Sequence, residues 1–193
     1  MGSYISVGLV AEKCEPSEFL ELCKRAFNMF GANIQRMTLK YPLDSECISW
    51  KEKTMSIKEI DSALSDCYSN NLCELHIDYL IEKRCVSGVL FKLKKGDGYQ
   101  GALFEIPEEN FDIVNEIDIL EGKIKAIIKN ILPYGFEYGF CDNEADIEYS
   151  KEKILSMDSV YSVLLINNEL NFRLAPVSYT HLRAHETRHE LVC

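Results

Sequence analysis

With 193 residues, 47% hydrophobic and 27% charged, the chain is long enough to bury one core without metal or disulfide staples. A net charge of −10 excludes a surface built to neutralise nucleic-acid phosphates, and apolar runs of only a few residues exclude a membrane-spanning helix. Eight cysteines at irregular gaps, none in a CxxC pair, exclude zinc-ribbon and dithiol spacing. With no basic stretch opening the N-terminus, they read as reduced thiols of a cytoplasmic protein.

In chain order, residues 4–11 alternate as a strand whose apolar positions are Tyr4, Ile5, Val7 and Leu9. That strand outweighs the loose N-myristoylation pattern of Met1, Gly2 and Ser6. Pro16 opens a helix with Phe19, Leu22, Cys23, Ala26, Phe27 and Phe30 on one stripe, and Gly31 follows as its stop. Residues 34–41 are a second strand ended by Pro42, while residues 43–54 show no period, and Trp50 stands among Ser, Lys and Glu.

Ser56 with Glu59 forms a capping box for a helix carrying Ile60, Ala63, Leu64 and Cys67 inward. Leu75, Ile77, Tyr79 and Ile81 then alternate with polar residues, which points His76 outward. Residues 86–93 and 101–106 flank the turn Lys95-Gly96-Asp97-Gly98 and read as a hairpin. A third helix is predicted over 116–132, with acids early, lysines late, and Pro133 as its stop. Segments 136–149 and 160–174 are rich in strand signals, with Asn167-Asn168 a turn. The expected fold is α+β: one domain over 1–175, a mixed, mostly antiparallel sheet, about three helices, and the order β-α-β-α-β-β-β-α-β-β.

Residues 177–187, VSYTHLRAHET, resemble the translation of a transposon-end sequencing adapter read in frame, and Leu191-Val192-Cys193 resembles the primer region beyond it. Residues 176–193 are accordingly expected to be a non-native tail. This matters because His185-Glu186-Thr187-Arg188-His189 is a formal HExxH motif. On a helix it would offer two zinc-ligating histidines and a general base. Removing the tail leaves His76 as the only histidine of the body, which takes away histidine-based catalysis.

The distinctive segment of the body runs from Tyr138 to Tyr149. In an extended chain Asp142, Glu144, Asp146 and Glu148 would line one side, and four neighbouring carboxylates call for water or a cationic partner. Three readings compete: a solvated edge or a turn at Asp142-Asn143, a protein-binding face, and a divalent-metal site; paired-carboxylate sugar chemistry lacks a second carboxylate cluster surrounded by aromatics. An EF-hand does not fit, because Ile147 stands where the loop needs glycine and Lys153 where it needs glutamate. Trp50 is either a residue closing a core edge or an interface anchor. No cofactor fingerprint is present, since Gly96-x-Gly98 lies between strands and not ahead of a helix.

The opening YISVGLVAEKCEPSEFLELCKRAF, the central hairpin and the segment EYGFCDNEADIEYS resemble the α+β immunity proteins of bacterial polymorphic toxin systems, over residues 4–174. That resemblance implies a non-enzymatic protein that binds a cognate toxin, with a basic, nuclease-like domain as its partner. Asp142, Glu144, Asp146, Glu148 and Trp50 would be the contacts. Alternatives from other classes are a small divalent-metal enzyme using the cluster Asp142–Glu148, and a structural or phage adaptor.

Overall fold

The computed structural model describes residues 3–30, 34–43, 49–70, 72–81, 84–110, 128–130, 132–157, 160–161 and 163–166. Its frame is an eight-stranded sheet. The strands are β1 (Tyr4–Glu12), β2 (Ile34–Pro42), β3 (Trp50–Met55), β4 (Glu74–Ile81), β5 (Arg84–Lys95), β6 (Tyr99–Pro107), β7 (Tyr138–Asn143) and β8 (Val163–Ile166). They lie in the order β3-β2-β4-β5-β6-β1-β7-β8, and every pairing is antiparallel. An α+β fold dominated by its sheet follows.

One face of the sheet is apolar across seven strands. Met37, Leu39, Met55, Leu75, Ile77, Tyr79, Phe91, Leu93, Phe104, Val7, Leu9 and Leu165 all join one core. Two helices, α1 (Pro16–Phe30) and α2 (Ile60–Ser69), press their stripes into it: Phe19, Leu22, Cys23, Ala26 and Phe27 from α1, and Ile60, Ala63, Leu64 and Cys67 from α2. Phe27 meets Phe91 edge-on at 4.5 Å and Phe104 at 5.6 Å between ring centroids, the offset geometry that aromatic quadrupoles favour. Lys24 bridges the helices to Asp61 at 2.8 Å.

Local chemistry accounts for the element ends. The Ser56 hydroxyl accepts from the Lys58 amide at 3.1 Å, and the Glu59 carboxylate accepts the Ser56 amide at 2.8 Å. The expected capping box therefore forms, opening as a 3-10 turn over Ile57–Glu59 that leads into α2. In β5, Gly88 has φ of +72°, a conformation that disfavours any side chain. It forms a bulge against β4, with its amide donating to Asp78 Oδ1 at 2.9 Å.

The observed elements differ from the expected ones at two places. Residues 50–55, read without periodicity, form the edge strand β3. A short helix, α3 (Lys151–Leu155), follows the acidic segment where only strand signals were read. The third helix expected over 116–132 lies mostly outside the described residues, of which 128–130 are helical; the tail from 176 and the turn at Asn167-Asn168 lie outside them altogether. Burial, then Cys73 and Asp66, push the Cys67 thiol up to about 12, so this cysteine is a small core residue, as its helix position suggested.

Replacing Phe91 with Ala should cost about 3–5 kcal/mol by emptying the aromatic trio. In contrast, Leu43→Ala, at a position 63% exposed, should cost less than about 0.5 kcal/mol; urea denaturation of both variants tests the assignment of the core.

Candidate functional site

The opposite face of the sheet divides into two halves. Over β6, β1, β7 and β8 it carries a second apolar cluster of Leu103, Val10, Tyr138, Phe140, Leu164 and Ile166. The chain leaving β7 folds back as a strap over this half and closes it with Ile147, Ile154 and Tyr161. Phe140 and Tyr161 stack at 3.8 Å between centroids, 6° from parallel. A Cβ on Gly101 would stand 2.7 Å from Ile147 Cδ1, so the bare backbone of β6 is what lets the strap lie close.

Two buried phenols staple the strap to the sheet. Tyr161 donates its hydroxyl to the Asp146 carbonyl at 2.9 Å, and Tyr138 donates to the Tyr149 carbonyl at 2.6 Å. At its start the Glu144 amide donates to the Tyr4 carbonyl at 3.0 Å. Ser150 caps α3 through the Lys153 amide at 3.4 Å, and Lys151 binds Glu137.

The four predicted carboxylates therefore do not form a stripe. β7 ends at Asn143, and Glu144 has φ of +50°, so the extended run breaks there; Asp142 and Asn143 themselves lie in the strand and not in a turn. Asp142 remains on the strand beside Ser6 of β1, and its Oδ1 accepts the Asn143 amide at 2.8 Å. Asp146 reaches Lys94 of β5 at 2.7 Å. Glu144 and Glu148 are the exposed pair. Burial and then the Asp146 and Glu148 carboxylates hold the Tyr99 phenol above its usual range, and a hydrogen bond with Glu148 does so for Tyr149 on the strap itself. Among the described residues, no group of three or more His, Cys, Asp or Glu is arranged to hold a metal ion.

Trp50 is remote from this segment. It opens the edge strand β3 at 38% exposure. Six strand spacings, about 29 Å, separate its strand from the one bearing Asp142. The five predicted contacts thus occupy opposite borders of one broad face and not a single cluster.

Between those borders lies a surface that sequence reading did not single out. On the half over β3, β2, β4 and β5, Lys40 pairs with Glu52 at 2.9 Å, and Lys92 pairs with Glu105 at 2.9 Å and Glu74 at 3.8 Å. His76 faces outward, as its alternation implied, and meets Glu74 at 3.3 Å. The signal was present as alternating polar residues in Arg36, Thr38 and Lys40, in Glu74, His76 and Asp78, and in Lys92 and Lys94, but only the strand order brings opposite charges side by side.

His76, then Lys92 and Lys40, hold the Glu74 carboxyl below the usual glutamate range against the opposing effect of burial. A depressed folded value means that the stabilisation is complete above the unfolded value and is lost as pH falls through the folded one. Glu74→Gln should therefore leave a protein whose stability falls less steeply below about pH 4.5, as measured by urea midpoints across the acid range. Tyr161→Phe should cost about 1 kcal/mol through one lost hydrogen bond and speed amide exchange across 144–150 with little change in the α1 core.

One solved structure similar to the chain is a Pseudomonas aeruginosa T6SS protein, PA0821, with 12% sequence identity and a TM-score of 0.41. The match covers 74% of this chain and 41% of that one, so the chain spans less than half the length of that protein. No curated protein matches it. The model of the immunity protein 64 family, Imm64, matches residues 1–178, and the chain belongs to that family.

Proposed function

We propose that the chain is a non-enzymatic immunity protein that binds a cognate bacterial toxin domain and blocks it in the cytoplasm of the producing cell. Family membership supports the class of activity. The observation that carries the choice of surface is the stapled strap: Ile147 is plugged into the core and two tyrosine hydroxyls pin the backbone, while Glu144 and Glu148 stand exposed. A loop ordered before binding loses little entropy when it docks, and unshielded carboxylates steer a basic partner.

Glu144 and Glu148 are the principal contacts on this reading. Asp142 and Asp146 flank them, the latter with its charge already compensated by Lys94. Trp50 acts at the far border, as an anchor only for a partner that spans the face. A basic toxin, such as a nuclease domain, fits both the net charge of −10 and the acidic strap, whereas nucleic acid itself does not. Among the described residues no helix is long and apolar enough to cross a membrane. Residues 1–175 are the working unit, and a chain ending there should neutralise the toxin as fully as the 193-residue one.

The gene beside this one identifies the toxin to be tested. Reversing Glu144 and Glu148 together to Lys should slow association with that toxin domain by about 10-fold or more at low salt. The difference should shrink at high ionic strength as screening removes the steering. An unchanged association rate, with neutralisation intact on co-expression, removes the strap from the interface; loss of neutralisation by the unaltered protein removes the immunity reading itself.

A further inference from the structure

Among the described residues β3 is the last strand of the sheet, and Lys51, Glu52, Lys53 and Thr54 along it are exposed. Along that edge every second residue turns its N–H and C=O away from β2, the arrangement that templates a further strand.

A second copy of the chain is a poor occupant. Closed pairing of two such edges is antiparallel about a two-fold axis perpendicular to the sheet, because parallel pairing does not close. Side chains alternate between faces and the axis preserves the faces, so one residue always stands opposite its own copy. In the two registers that use most of β3 that residue is Glu52 or Lys53. Centring on Glu52 also sets Lys51 against Lys53 twice. Like charges directly opposite oppose pairing.

A strand of complementary charge meets the reverse situation. Across the outward face, charges already alternate from strand to strand: Lys92 on β5, Glu74 on β4, Lys40 on β2 and Glu52 on β3, with neighbours paired at 3.8 Å for Lys92 and Glu74 and 2.9 Å for Lys40 and Glu52. The next position in that series calls for a base; on the other face Lys53, 3.6 Å from Glu59, and Lys51, 5.9 Å over the Tyr41 ring, remain exposed and present positive charge that favours acids. We propose that the β3 edge is a strand-addition site for an extended segment of a partner protein, with a base opposite Glu52 and acids opposite Lys51 and Lys53. The proposal goes beyond toxin neutralisation through the strap, and either can fail while the other stands.

Trp50, the sole tryptophan, reports directly on this edge. The peptide TVEKEVT should shift its emission and slow amide exchange in β3, binding at least tenfold more tightly than the charge-inverted TVKEKVT. Lys51→Glu with Lys53→Glu, which leaves the pair of Lys40 and Glu52 in place, should reverse the preference. Neutralising Lys51, Glu52 and Lys53 together to Thr should produce a dimer in sedimentation analysis. Absence of binding by either peptide, equal affinity for both, or a neutral variant with the oligomeric state of the unaltered protein would overturn the proposal.

Discussion

The architecture turns on one requirement: β1 is buried on both faces. Its odd positions, Ile5, Val7, Leu9 and Ala11, enter the helix-covered core, while Val10 enters the second cluster beside Leu103 and Tyr138. A strand in that position needs a cover on each side, and the helices supply only one. The strap after β7 supplies part of the other, and burying Ile147, Ile154 and Tyr161 contributes about 2 kcal/mol per side chain as a transfer term. Everything distinctive about the acidic segment follows from this. It is held where it is because its apolar residues are needed beneath it, and Glu144 and Glu148 stand outward because the side facing the sheet is taken.

Where burial wrote the sequence, the fold was legible. β1, β4 and the β5–β6 hairpin alternate because one side of each packs on the helices, and α1 carries its stripe at helical spacing for the same reason. β3 was illegible because only its last residue, Met55, is buried: Trp50 to Thr54 are exposed on both faces, so no apolar period marks them. α3 escaped because five residues, with Ile154 alone buried, are too few to show a period. The acidic segment is a different case. An Asp-x-Glu-x-Asp-x-Glu run has the alternation of a strand, yet the backbone at Glu144 leaves the extended region. What pins the segment is Tyr138 and Tyr161, residues that sequence reading had assigned to ordinary strands.

The same asymmetry separates the two kinds of polar surface on the uncovered side. Over β2 to β5, side chains of opposite sign sit on adjacent strands, so Lys40, Glu52, Glu74, Lys92 and Glu105 largely cancel one another. Pairs of this kind, roughly a quarter to a half exposed, add little stability each. They keep a broad sheet face wettable without an apolar patch that would recruit unspecific partners.

Cancellation at short range leaves little field at long range, and long-range field is what directs a charged partner before contact. The paired half of the face is therefore a weak beacon despite its density of charge. Glu144 and Glu148 differ because they are exposed, while the lysines Lys94 and Lys151 that meet this part of the chain are committed to Asp146 and Glu137. Their uncancelled charge is carried on a backbone fixed by two phenolic hydrogen bonds. A loop of that kind combines the outward placement that recognition uses with the rigidity of the scaffold beneath it. The physical reason for weighting the strap above the rest of the face is thus the location of unpaired charge, and not the number of charged residues.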